Sequence, residues 1–211
     1  MSAITLDALD LSALLCSRVC HDLISPAGAI VNGLEVLEEA KDDETRSFAM
    51  ELIKKSARTA SARLQFCRIA FGAAGSAGAQ IDLGDAENVA RGFIEDDKVK
   101  LAWNLPRALM PKNRVKLLLN MLLVATASIP RGGIAAIEGN GADENMAFKI
   151  VAQGLNARIP QAVPALLAGC PEGGVVDAHA IQPFYAGLLA RSCGLAVTIE
   201  AEGDAVVVAT R

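Results

Sequence analysis

Seven residues, Cys16, Cys20, Leu23, Ala27, Ile30, Leu34 and Leu37, recur in alternating steps of four and three. This is the a/d spacing of a helix that buries one stripe against other helices. Residues 6–40 therefore read as a single helix on the order of 50 Å long at 1.5 Å per residue. On the same count His21 and Ser25 occupy b and f positions and face away from the stripe. Lys41-Asp42-Asp43-Glu44 forms a short polar turn, in which Asp42 or Asp43 can cap the next helix and Glu44 suits its positive end. That second helix runs to about Phe71, with Ala49, Leu52, Ser56, Ala60, Leu64 and Cys67 on one face, and Gly72 is expected to stop it by taking positive φ. Two long helices joined so tightly are antiparallel neighbours. A lone hairpin covers one stripe of each helix, whereas two hairpins side by side make a four-helix bundle. A homodimer is the physical expectation, with packing of the hairpin against the rest of its own chain as the alternative.

The pattern then changes. Residues 73–79 are small and Gly-rich, the composition of a linker. Asp85 is expected to cap a helix carrying Val89, Phe93 and Ile94, and Val99, Leu101, Trp103 and Leu105 alternate as a half-buried strand. Pro111 suits the first turn of a helix running through Ala125. Strands follow at Ile134–Glu138 and Met146–Val151, a helix at about Asp177–Ser192, and a closing hairpin, Ala196–Ala201 with Ala205–Ala209, around Gly203-Asp204. Helices segregated from a mostly antiparallel sheet give an α+β layer fold. The expected division is a helical hairpin at 1–72, a linker at 73–79 and a sheet domain at 80–211.

Hydrophobic residues make up 52% of the 211-residue chain, enough for a core and against global disorder. The net charge of −4 provides no electrostatic footprint for nucleic acid. No run approaches the roughly 18 uninterrupted apolar residues of a membrane span, and the first residues lack the basic start of a signal peptide, so a soluble cytoplasmic protein is expected. The five cysteines follow no regular framework. Cys16 and Cys20 sit on the apolar stripe, where small thiols pack well. They lack the spacing of a ligand set, so packing is favoured over metal.

His21 is the residue with chemistry to offer. A neutral imidazole is a good nucleophile near pH 7, and Asp22 beside it can orient one ring nitrogen and free the other to attack. Pro26 has no N–H for the carbonyl of Asp22, so a bend is expected just past the histidine. Ser25, Gly28, Ala29, Asn32 and Gly33 form a stripe of small residues below it. The stripe fits either a shallow docking groove for a partner's helix or close approach of the neighbouring helix. Arg18, one turn before His21, can meet a partner's acidic pocket or an anionic group at the histidine. Lys54, Lys55 and Arg58 read as a solvated face, and His179, beside Asp177 near a helix start, as a surface or capping residue.

His21-Asp22-Leu23-Ile24-Ser25-Pro26 resembles the phospho-acceptor motif of two-component histidine kinases, and the whole chain is similar to the ChpT-type histidine phosphotransferases. The resemblance implies a kinase-like dimerisation hairpin joined to a degenerate ATPase-like domain. Asn120 matches the first Asn of that domain's Asn-bearing helix, but Val124 stands where a second Asn would help hold magnesium. Ala152 or Gln153 replaces the adenine-binding Asp, and Tyr185-Ala186-Gly187-Leu188 replaces the glycine-rich phosphate loop. Loss of these parts removes what ATP chemistry needs. The resemblance thus implies a phosphorelay intermediate in a bacterial cell-cycle pathway. It has no cofactor of its own, and magnesium sits on its partners. His21 takes a phosphoryl group from the receiver domain of a hybrid histidine kinase and passes it to response regulator receiver domains. A sensorless ATP-dependent kinase and a non-catalytic scaffold are the alternatives.

Overall fold

The computed structural model describes residues 3–72, 78–141 and 146–211. Helix α1 (Ala8–Glu39) opens on Asp7, whose carboxylate accepts the N–H groups of Leu9 and Asp10 at 2.8 and 2.9 Å. Helix α2 (Asp43–Ala70) opens on Asp42, which accepts from the N–H and hydroxyl of Thr45. Those bonds, the backbone N–H first, hold the Asp42 carboxyl below its ordinary pKa. The two helices lie side by side as the short turn requires.

The line of α1 that faces α2 differs from the expected stripe. Asp22, Pro26 and Gly33 are buried there, while Cys16, Cys20, Ala27 and Leu34 face solvent. Burial of a proline and a glycine brings the backbones close: a Cβ on Gly33 would meet Ile53 Cγ1 at 2.7 Å. Leu64 of α2 is likewise exposed. Ile24, Val31 and Leu34 of α1 and Phe48 of α2 remain uncovered within the chain. Helix α1 is also long and apolar enough, by length and composition, to cross a membrane, which a count of uninterrupted apolar residues misses.

Gly72 ends α2 for a different reason from the one expected. It is not at positive φ; a Cβ there would lie 2.5 Å from the Arg68 carbonyl, so glycine permits the tight approach of the chain to its own last turn.

The small-residue stretch expected at 73–79 falls outside the described residues except for Gly78 and Ala79. Beyond it, β1 (Gln80–Asp82) pairs antiparallel with β3 (Leu109–Pro111). Helix α3 (Leu83–Ile94) is capped by Asp82 rather than Asp85, because β1 hands the chain directly to the helix and the Asp82 carboxylate accepts the Gly84 N–H. A five-stranded sheet contains β2 (Val99–Asn104), β4 (Gly133–Asn140), β5 (Ala147–Gln153), β6 (Val197–Glu202) and β7 (Ala205–Thr210) in the order β2-β4-β5-β7-β6. Only β2 and β4 are parallel, joined by a crossover through helix α4 (Lys112–Ala127), since parallel neighbours cannot be linked by a hairpin. Helices α5 (Val163–Leu167) and α6 (Ile181–Ser192) complete the helical layer. The fold is α+β, as expected. Phe148, Ile150 and Ala152 of β5 alternate inward onto α4, whose residues Leu117–Ala125 are all buried.

The hairpin is joined to this domain by packing and hydrogen bonds. Phe66 of α2 is fully buried and stacks on Phe93 of α3 at 4.2 Å between centroids. Leu11, Leu14 and Leu15 of α1 pack on Leu166, Val176, Ile181 and Phe184, and the Ile4 N–H donates to the Gly169 carbonyl. Helix α1 is thus supported by the sheet domain over its first turns, and His21 lies just beyond.

Candidate phosphotransfer site

Pro26 governs the local structure around His21. Its missing N–H leaves the Asp22 carbonyl without its helical partner, and the Arg63 guanidinium of α2 donates to that carbonyl instead. The helix continues past the proline to Glu39, and a cross-helix hydrogen bond takes the place of the lost backbone one. Arg63→Ala should therefore destabilise the protein by about 1–3 kcal/mol, the penalty of an unsatisfied buried acceptor. In a Pro26→Ala background the restored backbone N–H takes the carbonyl, and most of that loss should disappear. Urea denaturation of the four proteins tests the cycle; additive effects would refute the compensation.

Asp22 faces α2 with its side chain 11% exposed, whereas His21 is 72% exposed. Asp22 Oδ2 accepts from Arg18 Nε at 3.1 Å. Asp22 Oδ1 lies 3.5 Å from His21 Nδ1, longer than a hydrogen bond. The short partner of Asp22 is therefore Arg18, and the carboxylate faces the Nδ1 edge of the imidazole. A ring with its proton on Nδ1 has its Nε2 lone pair free, the arrangement a nitrogen nucleophile requires. Arg18 is held by Asp22 rather than standing free for a partner, although it also lines a neighbouring cavity.

The small-residue stripe divides into two. A Cβ on Gly28 would meet nothing within 4 Å, and Ser25 and Asn32 are exposed, with Ala29 half-buried. Close approach of the neighbouring helix explains Gly33 alone, so Ser25, Gly28 and Asn32 line open surface below His21. Lys54, Lys55 and Arg58 are exposed, and Lys54 pairs with Glu51 at 3.1 Å.

His179 is exposed just before α6, as expected of a surface residue near a helix start. Asp177 Oδ1 accepts the N–H groups of His179 and Ala180 at 2.9 and 2.8 Å, fixing the turn that leads into α6. These bonds, Ala180 first, hold the Asp177 carboxyl below its ordinary pKa. The turn sets the His179 ring 6.4 Å from that of His21, edge to face at 77°. No local motif surrounds His179, so only the docking of α1 on α6 reveals the pair. Arg63 escaped notice for the same reason.

The residues expected to mark a lost nucleotide site now have visible structural uses. Asn120 is fully buried, and its amide donates to the carbonyls of Ala70 and Lys116 at 3.0 and 2.9 Å. The Ala70 carbonyl is one of the unpaired acceptors at the end of α2, so Asn120 clasps the hairpin to α4. Gln182 of α6 donates to the Asn120 backbone carbonyl at 2.8 Å and reaches its side-chain oxygen at 3.4 Å. Val124 lines a cavity of about 470 Å³ together with Arg18, Phe93, His179 and Gln182. Gly187 lies inside α6, where a Cβ would meet the Leu167 carbonyl at 2.1 Å; it serves helix packing and not a phosphate loop.

The cysteines do not gather. Cys16 and Cys20 are exposed neighbours, and Cys67 is buried, with its thiol pushed up to about 11 by desolvation. No group of three or more His, Cys, Asp or Glu side chains able to hold a metal occurs among the described residues.

Comparison with known proteins gives the family. The family model for the histidine phosphotransferase C-terminal domain matches residues 83–205. The protein phosphotransferase ChpT of Brucella abortus (strain 2308) is 53% identical over 204 residues, covering 97% of this chain and 96% of that protein. A solved bacterial phosphotransferase superposes over 100% of both chains with a TM-score of 0.90 at 51% identity. On the family match and on near full-length identity to a named phosphotransferase, the chain belongs to the histidine phosphotransferases and is itself a phosphotransferase.

Proposed function

We propose that the protein is a relay station whose phosphoryl carrier is His21. It takes the group from an aspartyl phosphate on the receiver domain of a hybrid histidine kinase and gives it to response regulator receiver domains. One observation carries this reading: a solvent-displayed imidazole whose Nδ1 faces a carboxylate, leaving Nε2 to attack. The Nε2 lone pair forms the N–P bond as the P–O bond to the donor aspartate breaks. That aspartate leaves as a carboxylate, and the ring keeps its Nδ1 proton. The resulting phospho-imidazolium is stabilised by Asp22, and attack by the acceptor's aspartate reverses the same changes. Magnesium belongs to the partner receivers. Ser25, Gly28, Ala29 and Asn32 offer a receiver helix the shallow surface below the histidine, and the openness around Gly28 supports this.

Transfer without ATP is supported by the commitment of Asn120 to the α2 end and by Val124 in the facing cavity. A homodimer is supported by the uncovered row Ile24, Val31 and Leu34 with Phe48, which a second hairpin would bury. An α1 covered in this way supports a cytoplasmic protein, and the resemblance to the ChpT type supports a part in a bacterial cell-cycle relay.

The test needs no nucleotide. The protein is incubated with a receiver domain charged with acetyl phosphate and labelled with ³²P, and the label is followed to a second receiver. The expected result is an acid-labile, alkali-stable phosphoprotein intermediate that is depleted when the second receiver is added. Transfer that requires ATP, or no labelled intermediate at all, would overturn the reading.

A further inference from the structure

His179 comes from the sheet domain yet stands over the phosphoryl carrier of the helical hairpin. Its backbone is fixed by the two hydrogen bonds to Asp177, while its side chain is exposed. The 6.4 Å between ring centroids is too far for the imidazoles to bond directly, but it brings His179 within reach of a phosphoryl oxygen carried on His21. An imidazole always carries at least one N–H, and a phosphoryl group on nitrogen presents three acceptor oxygens. The charged groups around this space are Arg18 and Asp22 on α1 and Asp177 on the approach to α6. The elements that complete the adjoining cavity contribute uncharged residues, among them Thr126, Val163 and Gln182. Since Arg18 is tied to Asp22, His179 is the donor best placed to turn toward phospho-His21.

We propose that His179 binds the phosphoryl group on His21, donating its N–H to a phosphoryl oxygen and thereby setting the lifetime and orientation of the phosphoramidate. This rests on His21 being the carrier. No proton is transferred: His179 shares its hydrogen, and the N–P bond forms and breaks as described above. The hydrogen bond is strongest while the oxygens carry their full charge. In a loose, metaphosphate-like transition state that charge is dispersed, so the contact protects the ground state against water. It also gives the sheet domain a part in the chemistry.

The experiment compares full-length wild type, His179→Ala, His179→Gln and His21→Ala. Each is loaded from an acetyl-phosphate-charged receiver domain and then separated from it. In His179→Ala the label should load on His21 but hydrolyse about two- to tenfold faster, the worth of one hydrogen bond. The ³¹P resonance of the phosphohistidine should also move. His179→Gln, which keeps an N–H donor, should restore much of the lifetime. An exposed side chain gives no reason for loss of stability, and equal thermal melting of wild type and His179→Ala would confirm that. Unchanged lifetime and ³¹P shift in His179→Ala, with label absent from His21→Ala, would overturn the inference alone. Label persisting in His21→Ala would overturn the relay reading and this inference with it.

Discussion

His21→Ala is expected to reduce phosphoryl transfer from a charged receiver to background while leaving the protein folded. In the proposed relay the group passes through a covalent N–P bond, and a covalent intermediate cannot form without its nucleophile. The neighbouring groups offer no substitute: Asp22 is committed to Arg18, and His179 stands a ring's breadth away on another element. The stability side follows from exposure. With 72% of its side chain in solvent and no hydrogen bond from the ring to the core, truncation should change stability by no more than about 0.5 kcal/mol. Transfer of label on a gel and urea denaturation of the same preparation test both halves. Label on the variant would remove His21 from the mechanism; a large loss of stability would mean that the histidine is structural.

Phe66→Ala is expected to show the converse, a stability loss of about 3–5 kcal/mol, the range for emptying a fully buried aromatic site. Phe66 has no exposed surface and stacks on Phe93, so truncation removes both its burial and the face-on contact joining α2 to α3. The cavity would open three residues after Arg63, on the helix that supports the Asp22 carbonyl. Urea unfolding measures the loss. A cycle with Phe93→Ala should give a coupling of about 0.5–1.5 kcal/mol for the aromatic pair. A loss below about 1 kcal/mol would mean that the hairpin and the sheet domain are joined elsewhere.

Features legible in the sequence were those carried by neighbouring residues. The two long helices announced themselves through apolar spacing and polar capping residues, and both ends of the first and the start of the second fall within a residue or two of expectation. Alternation located β2 and the closing hairpin. His21, Asp22 and Pro26 stood together as a motif. By contrast, β1 and β3 are three residues each, too short to show a period, and the cap of α3 was misplaced by one turn because the pairing of β1 with β3 sets where that helix begins. The α1 face was misassigned because proline and glycine carry no apolar signal, although they are what allows two backbones to meet closely.

The same distinction holds at the site. By itself the sequence singled out the candidate carrier: a histidine on the polar side of a helix, with an acidic neighbour, needs only helical geometry to be displayed. It also put Val124, and Ala152 or Gln153, where the resemblance leads one to expect an Asn and an Asp, and residue identities hold in any fold. Only the tertiary structure decided what surrounds the carrier. Arg63 reaches the Asp22 carbonyl because the helices lie antiparallel in one register, Asn120 clasps the end of α2 because α4 lies beneath it, and His179 stands beside His21 because α1 docks on α6. Each of these contacts joins residues distant in the chain, and contacts of that kind arise from packing.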